Sequence, residues 1–184
     1  VFALGRHVYY KGFDVLIKAM QQIKEDTHLI LGGTGPLTEQ WQHKAELYGV
    51  TKRVHFVGHI SEEDLPAYYQ ACDVFCLPSV SQAEAFGIVQ VEAMACGKAV
   101  VSTILDNGVD YVNQHQITGM TVPPNDANAL AETINQLLKD DCLREKLGHQ
   151  GRKRAVEKFS LEIMGKSTLA LYNNVLNCQE GTLQ

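Results

Sequence analysis

Two glutamates, Glu84 and Glu92, lie eight residues apart in the stretch PSVSQAEAFGIVQVEAMACGKAVV at 78–101. If a helix begins near Glu84, this spacing gives about 12 Å of axial rise and slightly over two turns, so that both carboxylates lie near one face. The backbone amides of residues 86–89 are then the first-turn donors that have no partner inside the helix. Free amides and the helix dipole together bind anions. The stretch therefore predicts a site for hydroxyl, phosphate and hydroxyl groups of one extended ligand.

The charged residues of this stretch and of the segment at 5–12 can be explained either by ligand binding or by their place in the fold alone. Glu92 stands inside the apolar run IVQVEAMA, where a carboxylate needs a hydrogen-bond partner or a ligand. Glu84 is also explained as a carboxylate favoured by the helix dipole. Arg6 and Lys11 follow a short apolar run, and a guanidinium with an ammonium on one loop suits the oxygens of a diphosphate. The alternative for this pair is two solvated loop cations.

Strand-like and helix-like segments alternate along the first hundred residues. Apolar runs at 2–5, 28–31, 54–58, 73–77 and 99–102 are predicted strands, separated by segments with helical spacing such as 13–24. This alternation predicts a doubly wound, Rossmann-like parallel α/β sheet with helices on both faces. Ligands bind such sheets at the carboxyl ends of the strands, so the loops after the strands are expected to meet at one rim. These loops are 6–12, 32–36, 59–61, 79–86 and 103–108.

A helical segment is predicted to follow the sheet. After residues 118–122 the pattern is helical throughout, with Asp126 capping a helix over 127–138, a second helix to about 159, and Ser160 capping a third that ends near 177. The apolar positions of the last helix are expected to be exposed in this chain. They are Ile163, Met164, Leu171, Tyr172, Val175 and Leu176.

Composition restricts the class of protein. The chain has 184 residues, 45% of them hydrophobic and 20% charged, which suits a single globular domain. A net charge of −5 argues against a nucleic-acid surface, and no apolar run approaches the roughly 20 residues of a membrane span. The five cysteines are scattered without a C-x-x-C pair, which favours reduced thiols in a cytosolic protein.

Several motifs follow one another in a definite order. They are G-R-x4-K-G at 5–12, GGTGP at 32–36, VHFVG at 54–58, E-x7-E at 84–92 with EAMACGKAVV overlapping it, and TGMTVPPND at 118–126. Together they resemble the carboxyl-terminal donor-binding domain of retaining family 4 glycosyltransferases of the GT-B fold. The resemblance covers residues 2–177 and is closest to the bacterial surface-polysaccharide enzymes.

The resemblance implies roles for individual residues. Arg6 and Lys11 match the residues that hold the donor diphosphate, Glu84 matches the glutamate at the donor sugar, and Glu92 matches the one that accepts from the ribose hydroxyls. Arg6, Lys11 and Glu84 are thus the expected catalytic residues. The remaining positions expected at the donor are Gly5, Gly33, Ile60, Ala85, Phe86, Gly87, Ile88 and Val89. No metal and no cofactor are expected, and no D-x-D triplet occurs.

The implied reaction is transfer of a hexose from GDP-mannose or a UDP-hexose to a hydroxyl with retention, in cell-surface polysaccharide or lipopolysaccharide synthesis. Residues 1–177 are expected to form the donor-binding domain and 178–184 a disordered tail. The glycan or lipid-linked acceptor is expected to bind a missing amino-terminal domain, so that the isolated chain is inactive. The full-length protein is expected in the cytoplasm, with possible peripheral attachment to the inner face of the membrane.

Three alternatives share parts of the pattern. A GT-B nucleotide-sugar epimerase would use the same donor clamp without an acceptor, and a non-catalytic nucleotide-sugar-binding module would bind donor without turnover. A dehydrogenase half is a more distant alternative, because Thr38 stands where the G-x-G-x-x-G fingerprint needs its last glycine.

Overall fold

Six parallel strands form one central sheet. The computed structural model describes the backbone of residues 1–180 and the side chains of residues 1–176. The strands are β1 (Phe2–Leu4), β2 (Leu29–Gly32), β3 (Val54–Gly58), β4 (Val74–Leu77), β5 (Ala99–Thr103) and β6 (Gly119–Val122). They are ordered β3-β2-β1-β4-β5-β6, and every neighbouring pair is parallel.

Helices cover both faces of this sheet. They are α1 (Phe13–Ala19), α2 (Thr38–Leu47), α3 (Leu65–Ala71), α4 (Ile88–Ala95), α5 (Gly108–Val112), α6 (Ala127–Lys139), α7 (Asp141–Phe159) and α8 (Leu161–Glu180). Helices α1, α2 and α6 bury one apolar cluster against the sheet, and α3, α4, α5 and α7 bury a second. Because both faces are covered, the central strands β4 and β5 are buried at every position. The predicted doubly wound α/β class is confirmed.

Among the strands and α-helices, two short elements were not predicted. The edge strand β6 pairs with β5, and this pairing rather than its own composition defines it as a strand. Helix α5 has five residues and begins at Gly108, which the sequence placed at the end of a loop. Its signal is local, because the side chains of Asn107 and Asp110 form a capping box.

Two predicted helix boundaries differ from the structure. Helix α1 was expected to reach residue 24 but ends at Ala19. Beyond it the amides of Gln21 and Gln22 donate to the carbonyls three residues earlier, which is the 3₁₀ pattern rather than the α-helical one. Helix α8 passes the expected end near residue 177 and extends through Glu180. The rest of the predicted tail, residues 181–184, lies outside the described residues.

The long helix α8 has few neighbours. Of the positions expected to be exposed, all but the half-buried Ile163 are at least half exposed: Met164, Leu171, Tyr172, Val175 and Leu176. No helix in the described part of the chain is long and apolar enough to cross a membrane.

The strand order reverses between β1 and β4. Strands β2 and β3 lie on one side of β1, whereas β5 and β6 lie beyond β4 on the other side. The loops that leave the carboxyl ends of β1 and β4 therefore turn towards opposite halves of the sheet and leave a crevice between them. The predicted site residues of 5–12 and 78–87 stand at this crevice.

Candidate functional site

The loops after β1 and β4 are joined directly. The amide of Val80 donates to the carbonyl of Tyr10 at 2.8 Å. Gly12 has φ 63°, and a Cβ built on it would lie 2.1 Å from the carbonyl oxygen of Pro78. Only glycine combines that left-handed backbone with so close an approach. The two loops therefore form one surface.

An ion pair connects the same two loops. The ammonium of Lys11 lies 2.5 Å from Oε2 of Glu84, and their side chains are 10% and 9% exposed. The hydroxyl of Ser79 donates to the same oxygen at 2.9 Å. Gly5 makes room for the lysine stem, because a Cβ there would lie 3.1 Å from Cε of Lys11. Each charge is removed from water and depends on the other for compensation.

The predicted start of helix α4 is wrong. The helix begins at Ile88, and Glu84 lies before it in the loop. Gly87 precedes the first turn with φ 67° and ψ 63°, and a Cβ there would lie 2.5 Å from Cδ2 of Leu77. This left-handed residue turns the chain, so Glu84 and Glu92 do not lie on one face of one helix.

A run of backbone amides is nevertheless open at this turn. Among the described residues, none of the N–H groups of 85–89 has a hydrogen-bond acceptor, and the first bond of the helix runs from Gln90 to the carbonyl of Gly87. Two carbonyls of this turn are held by side chains: Asn107 Nδ2 donates to Glu84 O at 2.9 Å, and Gln90 Nε2 donates to Phe86 O at 2.7 Å. The amide donors of Ala85, Phe86, Gly87, Ile88 and Val89 thus remain available to an anion.

Glu92 has a different partner. It lies in α4, half-buried, and its Oε2 accepts a hydrogen bond of 2.7 Å from the hydroxyl of Tyr69 on α3. Burial raises the pKa of Tyr69, and the Glu92 carboxylate adds to this effect. The phenol therefore keeps its proton and acts as the donor.

The glycine-rich loop after β2 lies against the loop after β1. Gly33 has φ 104°, and a Cβ there would lie 2.0 Å from the carbonyl oxygen of Gly5. His7 ties the two loops together, because its amide donates to Thr34 O at 2.9 Å and its Nδ1 lies 2.8 Å from Oγ1 of Thr38. Burial lowers the pKa of His7 below its ordinary value.

Arg6 and Ile60 stand at this same part of the rim. Arg6 is exposed, and within the described part of the chain its guanidinium makes no ion pair or hydrogen bond. Ile60 follows β3 and is half-buried, and its Cδ1 would lie 2.7 Å from a Cβ built on Gly32. The structure thus brings Lys11, Glu84 and the amides together, and leaves Arg6, Ile60 and Glu92 outside the ion pair.

Comparison with known proteins shows the family to which this chain belongs. A sequence profile described as "Glycosyl transferases group 1" matches residues 1–154. The chain belongs to the group 1 glycosyl transferases.

Similar proteins of this family agree with that assignment. O-antigen chain mannosyltransferase C of Escherichia coli is 30% identical over 173 residues, covering 94% of this chain and 46% of that protein. The capsular polysaccharide biosynthesis glycosyltransferase CapM of Staphylococcus aureus is 33% identical over 184 residues, covering 97% and 47%. The chain therefore spans less than half the length of these relatives.

Solved structures show the same fold. Anabaena Alr3699/HepE in complex with UDP superposes with a TM-score of 0.85 at 28% identity, covering 94% of this chain and 48% of that one. Sucrose-phosphate synthase from Thermosynechococcus elongatus has a TM-score of 0.85 at 34% identity, covering 96% and 46%. The glycosyl transferase fold of this chain is one Rossmann-like half of a GT-B architecture.

The sequence analysis did not identify four residues that make contacts at the rim of this glycosyl transferase. Ser79, Asn107, Tyr69 and His7 hold the predicted residues or loops in place. Asn107 had a readable signal, since Asn-x-x-Asp forms the capping box of α5. Tyr69 and His7 act on residues 23 and 31 positions away, and Ser79, five residues before Glu84, lies in an irregular loop, so none of the three belongs to a recognisable local motif.

A cavity on the opposite edge of the sheet contains none of the predicted site residues. This cavity, of about 560 Å³, opens at the amino ends of the strands, where Phe2, His28 and Asp73 contribute to its lining, on the edge opposite the rim. Within the described residues, no group of three or more His, Cys, Asp or Glu side chains is arranged to hold a metal ion.

Proposed function

We propose that this domain binds the nucleoside diphosphate sugar of a retaining hexosyltransferase, with GDP-mannose or a UDP-hexose as donor. One observation carries the proposal: the buried pair of Lys11 and Glu84 stands beside five open backbone amides at the reversal of the strand order. A cation and amides suit phosphate, and a carboxylate suits sugar hydroxyls. A ligand that has both groups side by side fits this arrangement.

The diphosphate has two sources of positive charge in this proposal. Lys11 donates one hydrogen bond to Glu84, and in the described structure the other two N–H groups of its ammonium make no hydrogen bond and can donate to phosphate oxygens. Arg6 stands on the same loop with an uncommitted guanidinium in the described structure, able to bind two phosphate oxygens at once. Together with the amides of 85–89 these groups stabilise the charge that develops on the leaving diphosphate.

The sugar is assigned to Glu84. Its Oε2 is occupied by Lys11 and Ser79, which leaves Oε1 to accept from a sugar hydroxyl. In the proposed reaction the bond between the anomeric carbon and the diphosphate oxygen breaks, and the acceptor oxygen bonds to the same face of that carbon. The acceptor proton passes to the leaving phosphate oxygen, so no protein nucleophile takes part.

Acceptor and setting are part of the same proposal. The names of the relatives refer to O-antigen and capsular polysaccharide, which supports a role in cell-surface polysaccharide or lipopolysaccharide synthesis. We propose that a glycan or lipid-linked acceptor is held by a separate amino-terminal domain, and that the full-length enzyme works in the cytoplasm at the inner face of the membrane. The isolated chain would then bind donor and transfer nothing.

Calorimetric titration of the chain with GDP, UDP, GDP-mannose and UDP-glucose tests the donor site. We expect binding of one nucleotide series, and Arg6→Ala weakens it about tenfold to a hundredfold because charge-assisted hydrogen bonds to phosphate are lost. The melting temperature should not change, since Arg6 has no partner in the described structure.

Arg152→Ala is the matched control, because Arg152 is an exposed arginine of α7 near the opposite end of α4. It should bind nucleotide like the wild type. If no nucleotide binds, or if both arginine variants behave alike, the donor site is rejected.

A further inference from the structure

The hydrogen bond between Tyr69 and Glu92 joins two helices on one face of the sheet. Tyr69 lies on α3, between β3 and β4, and Glu92 lies in the second turn of α4. The carboxylate is half-buried, so one side of it meets solvent while the other meets the phenol. The contact therefore lies at the boundary between the protein interior and the solvent beside α4.

The ring of Tyr69 cannot move freely. It is 2% exposed and packs edge-on against Phe2, with centroids 5.4 Å apart at 73°, and against Phe75 at 5.4 Å and 54°. A ring held on two sides fixes the position of its hydroxyl, and that hydroxyl fixes the carboxylate to which it donates. Glu92 thus has one defined orientation although its side chain has several rotatable bonds.

The direction of the hydrogen bond leaves acceptor capacity on the open side. Tyr69 is protonated, because burial raises its pKa, and it donates to Oε2. In the described structure Oε1 of Glu92 makes no hydrogen bond. An ionised carboxylate accepts only, so its free oxygen suits a ligand that presents hydroxyl donors.

We propose that Tyr69 is a positioning residue that orients Glu92 to accept hydrogen bonds from the ribose hydroxyls of the nucleotide. This inference rests on the proposed donor site, within which Glu92 is the ribose partner. Tyr69 lies on α3, outside the loops that form the donor site. Through Glu92 it would help the domain to distinguish ribose from a sugar that lacks the ribose hydroxyls.

Calorimetric dissociation constants of two ligands test this role. The ligands are the ribonucleoside diphosphate that binds the wild type and its 2′,3′-dideoxy counterpart. We expect Tyr69→Phe to weaken the ribonucleotide about tenfold and to leave the dideoxynucleotide unchanged, because only the former uses Glu92. A general loosening of the core would weaken both ligands by the same factor.

Tyr68→Phe is the matched control. It removes a hydroxyl from the preceding residue, whose ring also packs on Phe2 and whose hydroxyl has no partner within the described residues. Its ratio of the two dissociation constants should equal that of the wild type.

Glu92→Asp gives a second measurement that leaves the buried ring intact. Shortening the side chain withdraws the carboxylate from Tyr69, and the preference for ribose should fall by a similar factor. An unchanged ratio in Tyr69→Phe or in Glu92→Asp overturns the positioning role while donor binding stands. Absence of any nucleotide binding by the wild type overturns the donor site and this inference together.

Discussion

Glu84 and Glu92 are the same residue type on one short segment, yet their surroundings differ. Glu84 is buried in a loop against a full positive charge, and a serine hydroxyl supports the pair. Glu92 is half-buried on a helix against a neutral phenol. Both use Oε2 for the protein and leave Oε1 uncommitted in the described structure. The difference lies in what each loses when its partner is removed.

A buried charge without its counterion is far more costly than a carboxylate that loses one neutral donor. Breaking a buried ion pair from one side costs about 3–5 kcal/mol, whereas a hydrogen bond to a charged group contributes about 1.5–3 kcal/mol and less where water can replace it. The comparison thus predicts an order of effects for the variants below.

Lys11→Met should have the largest effect on stability. It leaves the Glu84 carboxylate buried and unpaired, and we expect the free energy of unfolding in urea to fall by about 3–5 kcal/mol. Adding Glu84→Gln to this variant should recover part of the loss, because the stranded charge is then removed.

Lys44→Met provides the control for the loss of a lysine. Its ammonium lies 2.6 Å from Asp14, but the two side chains are 29% and 34% exposed, and such pairs contribute about 1 kcal/mol or less. Equal losses in Lys11→Met and Lys44→Met would show that burial does not distinguish the two pairs.

Tyr69→Phe should lower the free energy of unfolding by about 1 kcal/mol. The phenylalanine keeps the packing against Phe2 and Phe75, and water can reach the half-buried carboxylate in place of the lost hydroxyl. Urea unfolding beside Tyr68→Phe measures this loss. A decrease as large as that of Lys11→Met would remove the contrast between the two glutamates.

His7 is a buried titratable side chain that has no charged partner in the described part of the chain. We expect its protonation to have the smallest of these effects on the free energy of unfolding. It is enclosed by the rings of Phe13, Trp41 and Phe56, and burial lowers its pKa, so the folded protein resists its protonation. The unfolded chain takes up the proton below about pH 6.5, so this contribution to stability is present above that pH and is lost as the pH falls below it. Between pH 7 and 6 we therefore expect the free energy of unfolding to decrease.

Urea unfolding at several pH values measures the slope. His7→Gln should reduce it, whereas His149→Ala, which changes an exposed histidine of α7, should not. Equal slopes in the wild type and His7→Gln would exclude His7 as the source.

The sheet and its ligand-binding rim follow from local patterns. Apolar runs separated by helical segments predicted five of the strands, and the cap at Asp126 predicted the start of α6, where its carboxylate accepts from the amides of Asn128 and Ala129. Parallel strands bring their carboxyl ends to one edge, so the loops carrying Lys11 and Glu84 were correctly expected to meet.

The details of the site depend on contacts that no local pattern contains. The spacing of Glu84 and Glu92 suggested one helix, but the close approach of Gly87 to Leu77 requires a left-handed turn between them. The partner of Glu92 comes from α3, 23 residues away, and β6 was missed because its pairing with β5 rather than its own composition defines it. Tertiary packing decided each of these points.

The ion pair of Lys11 and Glu84 has a consequence for the order of folding. Its partners are 73 residues apart and belong to the two halves of the sheet, on either side of the strand reversal. Contacts of such sequence separation carry a large loop-closure cost and tend to form late. We therefore expect loss of the pair to accelerate unfolding more than it slows folding. The contact thus contributes mainly to the kinetic stability of the folded domain.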